Sequence, residues 1–103
     1  MAREIAALVD RESTHGVYRK HVEVLLRGAV TEPEVAQHIA LAMHLAARAR
    51  TIDPNVDHET RPRGGRGIAV EFVTDRPDRV KRELDAWVAE QDADVRAAFD
   101  PPA

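Results

Sequence analysis

Two segments of this sequence carry the same helix-start pattern, and each directly follows a stretch of strand-like residues. They are Thr31-Glu32-Pro33-Glu34 and Asp75-Arg76-Pro77-Asp78. In both, a residue that can cap a helix is followed two positions later by a proline, whose missing N–H costs nothing in the first turn, and then by an acid. Two strand-to-helix units in 103 residues predict one α+β domain over residues 1–100, with a tail at 101–103.

The strands are predicted from alternation of apolar and polar residues. Residues 18–27 alternate and are closed by Gly28, and residues 68–73 form the cleanest alternating segment. Residues 56–61 indicate a poor, polar strand. The glycines and arginines at 63–67 are typical of a hairpin turn that joins it to the next strand.

The helices are predicted from apolar residues that recur at helical spacing. Residues 2–12 favour a short N-terminal helix, although their apolar run is also compatible with a strand. A long helix is predicted from Thr31 to about Arg50, and a last one from Asp75 that ends at Asp100. The buried stripe of the long helix is predicted to comprise Val35, Ile39, Ala42, Ala46 and Ala49, widened by Ala36, Ala40 and Met43. That of the last helix is predicted to comprise Val80, Leu84, Trp87, Val88 and Val95.

The resulting order of elements, α-β-α-β-β-α, resembles a ferredoxin-like βαββα core. In this comparison the last strand of the family is missing and a helix is added in front. The resemblance implies a small sheet with helices on one face and an open second face. Topology of this kind carries no information about activity.

Composition excludes several classes of function. The net charge is −3 with a sequence pI near 5.9, which argues against general affinity for nucleic acids or anionic membranes. Without cysteine, disulfides and thiolate chemistry are ruled out. The longest alanine-rich run is too short and too charged to span a bilayer, and the N-terminus does not resemble a secretory signal. We therefore expect a cytoplasmic protein that does not interact with membranes.

The histidines do not form a recognisable metal site. His38 and His44 lie on one predicted helix but are six residues apart, so they point in different directions. We expect solvated or interface histidines, no metal and no cofactor, because no ligand set has a telling spacing.

The open sheet face carries the more interesting candidates. The residues expected there are Arg19, His21, Glu23, Leu25 and Arg27, beside Ala69, Glu71 and Val73. His21 with Glu23 and Glu71 could form a general acid–base site. The same residues could instead form cross-strand ion pairs, or the face could be a dimer interface that contains Arg19, Leu25, Arg27 and Val73.

A second candidate site is the turn that contains Arg61, Arg63 and Arg66. Glycine-rich backbone with arginines can hold phosphate, but the spacing matches no phosphate-binding loop and precedes a strand. A solvated hairpin tip is the competing interpretation, and buried aromatic residues leave no platform for stacking RNA bases.

From these patterns we predict a non-enzymatic interaction module that forms a homo-oligomer through its open sheet face. Binding of nucleic acid or a phosphate ligand through Arg61, Arg63 and Arg66 is the second hypothesis. The third is a small cofactor-free enzyme with a pocket between subunits.

Overall fold

The computed structural model describes residues 4–12 and 18–101. Within those ranges, five strands form one sheet and three helices accompany it. The strands are β1 (Ala6–Glu12), β2 (Tyr18–Leu26), β3 (Asp57–Pro62), β4 (Ile68–Val73) and β5 (Phe99–Asp100). The helices are α1 (Glu32–Ile52), α2 (Pro77–Ala89) and the four-residue α3 (Ala93–Arg96), and a single 3-10 turn at Gly64–Arg66 joins β3 to β4. The prediction of an α+β domain is confirmed.

All strand pairs are antiparallel, and the strand order is β1-β2-β4-β3. The short β5 pairs with Leu25 and Leu26, the last two residues of β2. It lies along the same edge of β2 as β1, which pairs with residues 18–24. The polar strand β3 lies at the edge, and every residue of it is exposed. Its position agrees with the expectation that a polar strand is a poor candidate for the centre of a sheet.

The predicted N-terminal helix over residues 2–12 is wrong. Residues 6–12 form β1, whose full length pairs with β2 from Tyr18 to Val24, and residues 2 and 3 lie outside the described ranges. A helix of this length is marginal by itself in water, whereas pairing with β2 satisfies the backbone and buries Ile5 and Ala6. Asp85 on α2 secures the start of the strand, because one carboxylate oxygen accepts from the Ile5 and Ala6 N–H groups at 2.8 and 2.9 Å.

The predicted end of the last helix is also wrong. Helix α2 ends at Ala89, and Asp92 then caps a separate short helix by accepting from the Val95 N–H at 3.1 Å. The chain beyond it forms the two-residue strand β5, which pairs with β2. The chain returns to the sheet because this buries Ala98 and Phe99. A continued helix would carry these two residues away from the core.

Helix α1 starts where the sequence predicts. Thr31 is its N-cap and Glu34 completes a capping box, and Pro33 lies in the first turn. The buried stripe differs from the prediction, since Ile39 and Met43 are exposed. The buried residues of α1 are His38, Leu41, Ala42, Leu45, Ala46 and Ala49. The two leucines bury more apolar area than alanines can, and they turn the helix by about one residue position toward the sheet.

The start of α2 differs from the prediction that Asp75 caps it. Arg76 occupies the N-cap position and makes no side-chain capping bond. Thr74 instead accepts from the Arg76 N–H at 3.0 Å and donates its hydroxyl to Asp53 at 2.7 Å. This start is therefore held by a contact with the end of α1.

The core lies between the sheet and helices α1 and α2. Its largest fully buried side chains are Phe72, Leu26, Leu45, Leu84, His38, Val22, Val24, Val70, Val80 and Val88. None of the helices in the described residues is long and apolar enough to cross a membrane.

Candidate functional site

The face of the sheet that points away from the core is not covered by a helix within residues 4–12 and 18–101. We call it the open face. Strand pairing brings eleven of its residues together: Ala7, Val9, His21, Glu23, Leu25, Asp57, Glu59, Arg61, Ala69, Glu71 and Val73. The residues predicted for this face are among them, apart from Arg19, whose side chain lies outside the described part of the protein, and Arg27, which lies beyond the end of β2.

At the centre of the open face, Glu71 is held by a histidine and an arginine. One carboxylate oxygen contacts His21 Nδ1, and the other accepts from Arg61 Nη2. Glu71 is only 4% exposed and His21 8% exposed. The structure therefore brings together His21 and Glu71 as the sequence predicts, and it adds Arg61, which the sequence placed in the phosphate-binding hypothesis.

The strand register explains why these three residues meet. His21 lies directly opposite Val73, and Arg61 lies directly opposite Ala69, so each is a diagonal neighbour of Glu71 on β4. Diagonal neighbours on one face are about 7–8 Å apart, within reach of long side chains. Arg61 could have been predicted here if the register of β3 against β4 had been derived from the hairpin.

The chemistry of the cluster follows from its donors and acceptors. An ionised Glu71 only accepts hydrogen bonds, and the Nδ1–H tautomer of His21 is the one that can donate to it. A carboxylate at Nδ1 fixes the ring and its tautomer, and places the basic lone pair of a neutral imidazole on Nε2. With His21 neutral, the charges of Glu71 and Arg61 cancel.

Three glutamates lie in one row across the sheet. Glu71 is directly opposite Glu23 on β2 and Glu59 on β3. Directly opposed like charges are destabilising, and the contacts of Glu71 with His21 and Arg61 offset this repulsion. The cluster therefore contributes to the stability of this register.

Apolar side chains lie on both sides of the cluster. Val9, His21 and Val73 form one row across β1, β2 and β4, and Leu25 lies opposite Ala69 in another. Val9, Leu25 and Val73 are only half-buried. Arg27, which the sequence placed in this interface, is exposed beyond the end of β2 and forms an ion pair with Glu34 of its own chain at 3.3 Å.

The three arginines of the hairpin each make a contact inside the chain. Arg61 binds Glu71, and Arg63 donates to Asp100 at 2.9 Å and to the Leu26 carbonyl at 3.3 Å. Arg66 donates to the Val30 carbonyl at 3.3 Å and lies 3.7 Å from Glu32. The structure therefore does not bring the three guanidinium groups together around a common ligand position.

The glycines of this turn serve close packing. A Cβ on Gly28 would lie 2.2 Å from the Gly65 carbonyl oxygen, and one on Gly67 would lie 2.9 Å from the Leu26 carbonyl oxygen. Gly65 itself has a φ of 69°, a left-handed conformation that glycine adopts without strain. The turn is thus packed against the end of β2.

His38 is a buried group that the sequence did not predict. It is 1% exposed, and neither ring nitrogen has a hydrogen-bond partner in the described part of the chain. Burial, together with the charge of Arg27, lowers the pKa of His38 from its ordinary value of 6.5, against a smaller opposing effect of Glu34. The expectation of a solvated or interface histidine is wrong for His38, which is buried in the core of its own chain. The sequence did contain a signal for burial, because His38 is separated from Leu41 and Leu45 by the spacing of residues on one face of a helix.

Among the described residues, no group of three or more histidine, aspartate or glutamate side chains could hold a metal ion. His15 lies outside those residues. His44 stacks on Trp87 at 5.8 Å between ring centres, and His58 lies beside Phe72.

Comparison of the chain with protein-family models, with curated proteins and with solved structures finds no match.

Proposed function

We propose that this protein is an interaction module that self-associates through its open face. The observation that carries the proposal is that the charged groups at the centre of that face are already paired and buried. Glu71 and His21 are nearly removed from solvent within a single chain and are already paired. A second copy can therefore cover them without a large new desolvation cost.

The usual obstacle to burying charges in an interface is the cost of removing their hydration, which amounts to several kcal/mol per unpaired ion. In this protein most of that cost is already met within the subunit. The half-buried side chains of Val9, Leu25 and Val73 would gain from further burial, at about 25 cal/mol per Å² of apolar area. The exposed acids Asp57 and Glu59 on β3 would then form a polar rim, as is common in interfaces.

The proposal also includes a ferredoxin-like core. Two strand-helix-strand units support it: β2 with α1 and β3, and β4 with α2, α3 and β5. Their strands interleave as β5, β2, β4 and β3. In this interpretation β1 is an addition that widens the sheet and extends the open face by Ala7 and Val9.

The test is a charge placed at the proposed interface. We expect the unmodified protein at micromolar concentration to have an assembled mass by light scattering after gel filtration. Leu25→Glu should lower that mass, because the new carboxylate would be desolvated on pairing. The matched control is Thr60→Glu, which adds the same charge to an exposed position of β3 on the other face of the sheet.

A second measurement separates assembly from folding. Leu25 is only half-buried, so Leu25→Glu should keep the circular dichroism spectrum of the unmodified protein. A monomer mass for the unmodified protein, or equal masses for the Leu25→Glu and unmodified proteins, would overturn the proposal.

Acid–base catalysis is a second candidate, and the contact between Glu71 and His21 Nδ1 favours it. A carboxylate that orients an imidazole is a recurrent arrangement in general-base catalysis. The test is an NMR titration of the His21 ring with small carboxylic acids, amides and phosphate esters. Saturable shifts that disappear in Glu71→Gln would support this candidate, and no saturable shift with any of these compounds would count against it.

Binding of phosphate or nucleic acid through Arg61, Arg63 and Arg66 stays a prediction. Their contacts inside the chain would have to break or be shared for a ligand to bind. Steep dependence of RNA or DNA binding on salt concentration would support it, and absence of binding at low salt would contradict it.

A further inference from the structure

The outer surface of helix α1 is apolar although it faces solvent. Ile39 is 55% exposed and Met43 is 66% exposed, and both are among the few large apolar side chains on the described surface. Together with three exposed alanines they form what we call the outer stripe: Ala36, Ile39, Ala40, Met43 and Ala47. A soluble helix usually presents polar residues on this side.

Charges of opposite sign lie at the two ends of the outer stripe. Glu32 in the first turn and Arg50 in the last turn lie on the same line of the helix, about five turns apart. The side chain of Glu32 is 90% exposed, and its ion pair within the described residues is a long one, 3.7 Å from Arg66. Arg50 is exposed and makes no ion pair within the described part of the chain.

We infer that the outer stripe is a self-association surface on which α1 of a second copy packs in the antiparallel direction. In that arrangement Glu32 of one subunit meets Arg50 of the other at both ends. Ala36 then faces Ala47, and Ala40 faces Met43. The end pair is centred on residue 41 and the two inner pairs between residues 41 and 42, so one two-fold axis brings all of them together to within half a residue.

The side chains of the stripe suit close contact between helices. The alanines allow the two helix axes to approach to about 8 Å, the short end of the usual range. Ile39 and Met43 then supply the apolar area on either side of the axis. A parallel arrangement would place Glu32 against Glu32 and Arg50 against Arg50, so charge selects the antiparallel one.

This surface is distinct from the open face. The buried side of α1 faces the sheet, so the outer stripe points away from it, on the opposite side of the subunit. Two self-complementary contacts on opposite sides join more than two subunits. If both contacts form, the assembled mass exceeds that of a dimer.

The first test compares masses by light scattering for single variants at each surface. Met43→Glu should reduce the mass of the unmodified protein to that of a dimer joined through the open face. Leu25→Glu should leave a dimer joined through α1, and the double variant should be a monomer. Arg79→Glu, which alters an exposed residue of α2, is the control and should leave the mass unchanged.

The pattern of masses separates the two proposals. A dimer that Met43→Glu disrupts and Leu25→Glu leaves intact would overturn association through the open face and support the outer stripe. Equal masses for the Met43→Glu and unmodified proteins would overturn the outer stripe, whatever the open face does.

The second test determines the direction of packing. The chain contains no cysteine, so a single introduced thiol reacts only with its counterpart. Equimolar Ala40→Cys and Met43→Cys chains, both in the Leu25→Glu background, are oxidised together. The antiparallel packing predicts a heterodimer as the main disulfide product, whereas predominance of the two homodimers would contradict it.

Charge reversal provides an independent check in the same background. Arg50→Glu alone and Glu32→Arg alone should each raise the dimer dissociation constant, on the order of tenfold. Mixing the two chains restores both end pairs and should recover the original affinity. Failure of the mixture to recover it would contradict the proposed contacts.

Discussion

Helices α1 and α2 begin with similar sequences, yet different contacts hold their first turns. Thr31 and Glu34 form a complete capping box at α1, with the Glu34 N–H donating to the Thr31 hydroxyl at 3.3 Å. At α2 the N-cap is Arg76, which makes no such bond. Thr74 and Asp53 hold the chain there instead.

The two helices differ in their buried sides as well. The buried residues of α2 are all apolar: Val80, Leu84 and Val88. Helix α1 buries His38, whose ring nitrogens lack partners in the described part of the chain. Helix α2 also holds β1 through Asp85, which pairs with Lys81 at 2.6 Å. The comparison indicates that local signals define α1 and that tertiary contacts define α2.

The largest effect is expected from breaking the tertiary anchor of α2. Asp85→Ala removes the acceptor for the Ile5 and Ala6 N–H groups and the partner of Lys81. We expect a loss of about 2–3 kcal/mol in the free energy of unfolding, since these donors become unsatisfied in a partly buried place. Urea denaturation measures it. Asp85→Asn, which keeps an acceptor oxygen, should lose less, and equal losses would contradict the anchor.

The next effect concerns the buried histidine of α1. His38→Leu removes two unpartnered nitrogens from the core and should stabilise the protein by about 1 kcal/mol at neutral pH. Thermal unfolding measures it. A destabilised variant would indicate that His38 makes contacts in solution that its buried position does not reveal.

The same residue predicts a pH dependence. The pKa of His38 is lowered in the folded protein from 6.5, mainly by burial, so below that pH the unfolded chain binds a proton that the folded chain does not. The stability that the protein has with His38 neutral is therefore fully present above pH 6.5. It is lost as the pH falls from 6.5 through the lowered pKa of the folded state. The stability advantage of His38→Leu over the unmodified protein should grow from pH 7.5 to pH 5. A constant difference would contradict this assignment.

A smaller loss is expected at the start of α1. Thr31→Ala removes the hydroxyl that caps the helix and should cost about 1 kcal/mol in unfolding free energy, measured in urea. The hydrogen bonds from the Thr31 hydroxyl and backbone lower the pKa of Glu34. The pKa of Glu34 should therefore rise in the variant, as an NMR titration would show.

The smallest effect is expected at the start of α2. Asp75 has the same place in the sequence as Thr31 but does not cap α2, so Asp75→Ala should change the unfolding free energy by less than about 0.5 kcal/mol. A loss equal to that of Thr31→Ala would mean that both helices use the same local start in solution.

Much of the candidate site was predictable from the sequence. Alternation along 18–27 and 68–73 was sufficient to place His21, Glu23, Leu25, Glu71 and Val73 on one face, because successive side chains of a strand point to opposite sides. Arg61 was not assigned to this face, since its partner depends on the register of β3 against β4. The position of Arg27 depends on its ion pair with Glu34, which lies beyond the start of α1. The position of Arg63 depends on its ion pair with Asp100, which is distant in sequence.

Local signals in the sequence are sufficient to predict the capping box of α1, the strands β2 and β4, and the glycine turn between β3 and β4. Tertiary contacts, by contrast, make residues 6–12 a strand, end α2 at Ala89 and leave Ile39 facing solvent while His38 is buried. The physical reason is that these choices are close in local energy. They are decided by the backbone bonds that β2 offers, by the Asp85 anchor and by the apolar area that the two leucines of α1 bury against the sheet.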